Sequence, residues 1–149
     1  MSSDEAFAGY WNRPDADEAA IRDGWYHTGD VGRIDEDGDL WLEGRLDDMI
    51  VSGSDNMHPL EVEDVVARHP SVREVAVVGA SDDRLGHRVV AYVVVQGEVT
   101  AEQLDEHCLA SDTLARFKRP REYRFVPELP KSPSGKILRR MLRQDEVSA

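Results

Sequence analysis

Three stretches of this 149-residue chain gather side chains able to do chemistry. The first, Gly24-Trp25-Tyr26-His27-Thr28-Gly29-Asp30, ends on a carboxylate that follows a glycine. A carboxylate accepts two donors at once; the plainer reading of Asp30 is a turn residue. The second runs Gly44-Arg45-Leu46-Asp47-Asp48-Met49-Ile50-Val51-Ser52-Gly53 and continues through His58-Pro59-Leu60-Glu61-Val62-Glu63. Arg45 offers an always-charged planar fork, or else a surface pair with Asp47 or Asp48 contributing about 0–1 kcal/mol. Asp47 by itself reads as a loop residue. Gly53, followed by Ser54, lacks a Cβ, which permits close backbone approach or supplies a positive φ in a tight turn. The third stretch is Leu129-Pro130-Lys131-Ser132-Pro133-Ser134-Gly135-Lys136-Ile137-Leu138-Arg139-Arg140. Gly135 leaves room for a tight bend before the Lys136 ammonium; a lone Gly-Lys pair would be only one more cation. Lys118, Arg119 and Arg121, just after Phe117, combine cations with a flat ring. That mixture suits phosphates and an aromatic base, or forms a solvated charged face.

The charge distribution sorts these stretches. The chain carries 18 Lys plus Arg against 30 Asp plus Glu, a formal charge of −12. Residues 1–65 hold 18 acids and 4 bases, whereas residues 116–143 hold 10 bases and 2 acids. The overall sign argues against nucleic acid and membrane as partners, yet the basic tail can meet a smaller polyanion. Cys108 is the sole cysteine, so no internal disulfide or Cys-rich metal site is expected. His27, His69, His87 and His107 lack metal-ligand spacing. Packing is the expected role of His58, Cys108, Trp11, Trp25 and Trp41. Met1-Ser2-Ser3-Asp4-Glu5 has no leader pattern. The longest apolar run, Val89 to Val95, is too short for a membrane span. A cytoplasmic location is the expectation.

The elements that must position these residues follow from periodicity. Asp15 to Arg22 is expected to be a short helix, and Trp25 to Thr28 an extended piece. Val31–Ile34 and Leu40–Glu43 flank Asp35-Glu36-Asp37-Gly38-Asp39, a hairpin signal. Met49–Val51 and Asn56–His58 form a second hairpin with Gly53 at its tip. Pro59 opens a helix on which Val62, Val65 and Val66 recur until His69-Pro70. Val72–Gly79 and Val89–Val95 read as buried strands. Thr100 with Gln103 forms a capping box for a helix to Ala110. A turn at Leu114–Phe117, a strand at Tyr123–Val126 and a terminal helix over Lys136–Arg143 follow. The fold class is therefore α+β: a small C-terminal domain, residues 47–149, with a β-hairpin and a three-stranded sheet flanked by helices. Residues 1–46 lack the apolar mass for their own core and read as a β-rich remnant of a larger preceding domain.

In order and spacing, the three stretches closely resemble the last third of the adenylate-forming superfamily. That superfamily includes acyl- and aryl-CoA synthetases, peptide-synthetase adenylation domains and luciferase. The resemblance runs from about Ala6 to Leu142. Gly9-Tyr10-Trp11-Asn12, Asp47-Asp48-Met49-Ile50 and Phe117-Lys118-Arg119-Pro120 are most similar to benzoate and halobenzoate CoA ligases. The resemblance implies a two-step reaction. A carboxylic acid attacks the α-phosphate of Mg-ATP, giving an acyl-adenylate and pyrophosphate; the thiol of CoA then displaces AMP. It implies that Lys136 serves adenylation, that Asp30 and Arg45 hold the nucleotide, and that Asp47 is the hinge of a rotating small domain. It also implies that Gly53, Ser54, Phe117, Lys118, Arg119 and Arg121 face CoA. Two departures stand out: Ser54 replaces a frequent second glycine, and Leu85 a frequent tryptophan. Mg2+ is expected to enter with ATP and the missing N-terminal domain, with no metal ligands here. The acid pocket lies upstream, so the chain alone is expected to be inactive. The alternatives are a stand-alone CoA- or nucleotide-binding module acting in trans, a fatty-acid CoA ligase, and a peptide-synthetase fragment.

Overall fold

The computed structural model describes residues 9–148; the Met1–Glu5 stretch on which the leader expectation rests, and Ala6, lie outside the described residues. The chain divides into two compact units between Asp47 and Asp48.

The first unit is built from local pairings. Helix α1 (Pro14–Ala20) leads into β1 (Ile21–Arg22), which pairs antiparallel with β2 (Trp25–Tyr26). Strands β3 (Asp30–Ile34) and β4 (Leu40–Arg45) form the expected hairpin. Its turn is organised by the Asp35 carboxylate, which accepts from the backbone N–H groups of Asp37 and Asp39 and from the Trp41 indole. Register slips by one residue between Val31 and Gly32, where a Cβ on Gly32 would lie 2.7 Å from the Trp41 carbonyl. Only glycine fits that bulge. No described residue of this unit is fully buried. Trp11, Trp25 and Trp41 were expected to pack, yet all three are exposed, because the unit has no interior to receive them.

The second unit has a true core. After a 3-10 turn at Leu46–Asp48, β5 (Ile50–Ser52) and β6 (Asp55–Met57) make a hairpin with Gly53 and Ser54 at its tip. Helix α2 (Pro59–Ala67) starts where the His58 N–H donates to Glu61 Oε1 at 3.0 Å. Strands β7 (Val72–Asp82) and β8 (Gly86–Val95) pair antiparallel, and β9 (Glu122–Phe125) joins β8 in parallel, giving the order β7-β8-β9. A parallel neighbour requires a crossover; helix α3 (Ala101–Leu109) and a 3-10 turn (Arg116–Lys118) supply it. Thr100 and Gln103 cap α3 reciprocally, as the sequence predicts.

The unbroken apolar run of β8 is explained by cover on both faces. Val89, Ala91 and Val93 pack with residues of α2 and α3 such as Val62, Val66 and Leu104. Val90, Tyr92 and Val94 pack with Leu129 and with Leu142 of α4 (Arg139–Ser148). The terminal helix was expected from Lys136, but it begins at Arg139. Residues 131–137 instead fold back on themselves: Lys131 bridges Ile137, and the N–H of Leu138 donates to the Pro130 carbonyl at 2.8 Å.

Candidate functional site

In the first unit, β3 and β4 set Asp30 opposite Arg45. Arg45 Nη1 lies 3.5 Å from Asp30 Oδ1, with both side chains more than a third exposed. Arg45 thus pairs across the hairpin with Asp30. Its Nη2 also donates weakly to the Thr28 carbonyl at 3.4 Å, and the Asp30 N–H donates to Thr28 Oγ1 at 3.1 Å. Gly29 adopts φ +75°, with Arg45 Nη2 only 3.2 Å from where its Cβ would sit. A side chain there would push the guanidinium away.

Asp30, Arg45 and Asp47 line one open cleft of about 800 Å³, together with Thr28, Tyr10 and Tyr26. The volume falls within the usual range for small-molecule sites. Asp30 keeps exposed carboxylate oxygen that can accept hydroxyl donors, so the residues fit a sugar diol beside a cation. Tyr10 and Tyr26 were not singled out from the sequence. Their hydroxyls lie 3.0 Å apart. That hydrogen bond is the first cause raising the Tyr10 hydroxyl above its ordinary value, with burial adding to it. The signal was available in the Gly9-Tyr10-Trp11 and Trp25-Tyr26-His27 sequences, but only folding brings the two hydroxyls together.

In the second unit, Lys136 is exposed near the head of the 131–137 loop. Ser132 shapes that loop three times over: its carbonyl accepts from Gly135 N–H at 2.8 Å, its N–H donates to the Lys136 carbonyl at 2.8 Å, and its Oγ accepts from Lys136 N–H at 3.2 Å. Gly135 sits at φ +83° in open space, which is the bend glycine permits. The loop's base is fixed by α4. Arg139 Nη2 donates to both Glu63 oxygens at 2.8 and 2.7 Å, and Arg143 Nη2 donates to Asp48 at 2.9 Å.

Gly53, at φ +64°, donates its N–H to the Leu85 carbonyl at 2.7 Å. The two positions where the sequence departs from its resemblance, Ser54 and Leu85, therefore belong to adjoining hairpin tips. Asp82 orders the Leu85 tip by accepting from the N–H groups of Leu85 and Arg84 at 2.9 and 3.0 Å, and these bonds hold its carboxyl below the ordinary range. The basic set behaves less uniformly. Lys118 Nζ is bidentate to Glu61 at 2.8 and 2.9 Å, and Arg119 Nε pairs with Asp105 at 2.8 Å. Phe117 and Arg121 are exposed. Among the described residues, no group of three or more His, Cys, Asp and Glu side chains could hold a metal ion.

Comparison with known proteins identifies the family. The profile of the family described as AMP-binding enzyme C-terminal domain matches residues 61–136. A 4-chlorobenzoate–CoA ligase of an Arthrobacter species is 51 % identical over 143 residues, which is 96 % of this chain and 27 % of that protein. A 2-succinylbenzoate–CoA ligase of Bacillus cereus is 47 % identical over 136 residues, 91 % of this chain and 28 % of that protein. The solved structure of o-succinylbenzoate coenzyme A synthetase from Bacillus subtilis, in complex with ATP and magnesium ion, superimposes with a TM-score of 0.87 at 38 % identity. It covers 95 % of this chain, which in turn covers 29 % of it. The chain thus spans little more than a quarter of the length of the curated relatives it matches, and it belongs to the AMP-binding enzyme C-terminal domain family.

Proposed function

We propose that this chain is the C-terminal part of an ATP-dependent, AMP-forming ligase that joins an aryl acid of the benzoate type to CoA. The reading is supported by one arrangement above others: Lys136 stands exposed on a loop tied to the core, in a chain whose other unit sets Asp30 and Arg45 in one cleft. Asp30 accepts the ribose hydroxyls of ATP, and Arg45 neutralises charge beside them. When the acid's carboxylate oxygen attacks the α-phosphorus, one P–O bond forms and the bond to pyrophosphate breaks. Negative charge then gathers on the phosphoryl oxygens, and the Lys136 ammonium stabilises it without itself exchanging a proton.

Asp47, at the division between the units, is the hinge in this reading. After rotation, the CoA sulfur attacks the acyl carbon and AMP leaves. Gly53 admits the pantetheine arm because no Cβ obstructs it. Phe117 and Arg121, both exposed, meet the nucleotide end of CoA, and Ser54 borders its path. Lys118 and Arg119 add positive potential while their heads stay paired with Glu61 and Asp105.

The test uses the full-length ligase containing this chain. Lys136→Ala should lower acyl-adenylate formation about 10²–10³-fold, yet leave thioester formation from supplied acyl-adenylate intact. Equal loss in both half-reactions would overturn the assignment.

A further inference from the structure

The ionic cluster formed by Asp48, Glu63, Arg139 and Arg143 has no part in the reaction as derived above. Its members come from three places in the sequence. Asp48 follows the division between the units, Glu63 lies on α2, and the two arginines lie one turn apart on α4. Glu63 is buried, with a side-chain exposure of 9 %, and its Oε1 also accepts the Val77 N–H at 2.7 Å. That N–H is on β7, an edge strand of the sheet, so Glu63 ties α2, β7 and α4 at one point. Arg139 spans to the other carboxylate as well, with Nη1 3.6 Å from Asp48 Oδ2, while Arg143 holds Asp48 Oδ1 at 2.9 Å.

Arg139 is three residues beyond Lys136. The intervening residues leave little slack: Ile137 bridges Lys131 and packs on the α4-side core, and Leu138 N–H is bonded to the Pro130 carbonyl. The direction in which the Lys136 loop leaves the domain is therefore set where Arg139 is gripped. One of the two gripping carboxylates is the residue next to Asp47.

We infer that Arg139, clamped between Glu63 and Asp48, is a positioning residue for Lys136. The inference rests on the proposed adenylation role of Lys136. A clamp of this kind acts on orientation rather than on binding. Its loss should appear in the rate of the step that needs Lys136, because small misplacements of a reacting group cost large factors.

The experiment has two arms. In the full-length ligase, Asp48→Asn keeps shape and removes the charge. It should lower kcat for adenylation up to about 10²-fold, with KM for ATP unchanged and thioester formation from supplied acyl-adenylate within about twofold. Asp48→Glu, which restores a carboxylate, should recover part of the rate. In this chain by itself, hydrogen exchange at the Gly135 and Leu138 amides should quicken about tenfold in Asp48→Asn while the Val90 amide of the central strand stays unchanged. If Asp48→Asn does not fold, Arg143→Gln, which leaves the Arg139–Glu63 pair in place, is read by the same two arms. Unchanged loop exchange, or parallel loss of both half-reactions, overturns the inference. If Lys136→Ala leaves adenylation untouched, the role of Lys136 fails instead, and the exchange arm still decides whether the clamp holds the loop.

Discussion

The backbone N–H of Gly53 donates to the carbonyl of Leu85 at 2.7 Å, joining the tips of the β5–β6 and β7–β8 hairpins. His87 Nδ1, 3.1 Å from the Val51 carbonyl, joins them a second time. A Cβ built on Gly53 would touch Leu85 Cδ2 only at 4.0 Å, so space does not demand glycine here. The backbone does, at φ +64°.

Gly53→Ala should accordingly cost about 1–2 kcal/mol of stability from left-handed strain alone, with the hydrogen bond to Leu85 retained. Urea unfolding checks this, and an unchanged midpoint would contradict it. In the full-length ligase, Gly53→Leu should slow thioester formation more than adenylation.

Burial separates the ion pairs into strong and weak. Glu63→Ala leaves the Val77 N–H and the Arg139 guanidinium without their nearest acceptor in a closed setting, and should cost about 3–5 kcal/mol. Lys131→Ala removes a pair whose side chains are 39 % and 30 % exposed and should cost about 0–1 kcal/mol. Comparable losses in the two variants would overturn this ranking.

Glu122 predicts a pH dependence. Its carboxyl is held below the ordinary 4.5, first by the hydrogen bond from Arg124 and then by Arg88. A lowered folded-state value contributes stability that is present above the unfolded value and lost as pH falls through the folded one. The stability gap between the wild type and Glu122→Gln should therefore be constant above about pH 5 and close as the solution is acidified below 4.5. Denaturant melts across that range provide the measurement; a gap that widens in acid would refute it.

Cys108 is buried at 2 % exposure. Burial, the largest cause, pushes its thiol above the ordinary 9.0. Tyr123, whose hydroxyl lies 3.5 Å from the sulfur, is raised as well, again chiefly by burial. Since the thiolate is the nucleophile, a disulfide reagent at neutral pH should leave Cys108 unmodified in the native chain and label it fully in urea. Rapid native labelling would show the helix α3 packing to be wrong.

Local signals were legible in the sequence. The Thr100–Gln103 box, the Val89–Val95 run and both hairpins declare themselves because their partners are near in the chain or their periodicity is plain. Pairings over distance were not. Lys118, whose sequence context suits a nucleotide-facing cation, has Glu61, 57 residues away, as its ion-pair partner. Arg139 and Arg143 reach carboxylates 76 and 95 residues back. The start of α4 was misjudged because helical spacing of apolar residues says nothing of a Ser132 side chain and carbonyl that capture the preceding backbone. Arg45 had adjacent acids to choose from, and only the β3–β4 register decided for Asp30.

The parallel pairing of β9 with β8 has a consequence for the order of assembly. The β7–β8 hairpin can close as soon as it exists, but β9 cannot dock until α3 has crossed over, some thirty residues later along the chain. Such distant contacts form late, after loop closure has been met. The face of β8 toward Leu129 and Leu142 can be sealed only after that. During synthesis Lys136 would therefore find its place only after the sheet is complete, and a chain stopped before Arg139 would lack Leu142 and leave that apolar face covered only in part, by Leu129, Val126 and Ile137.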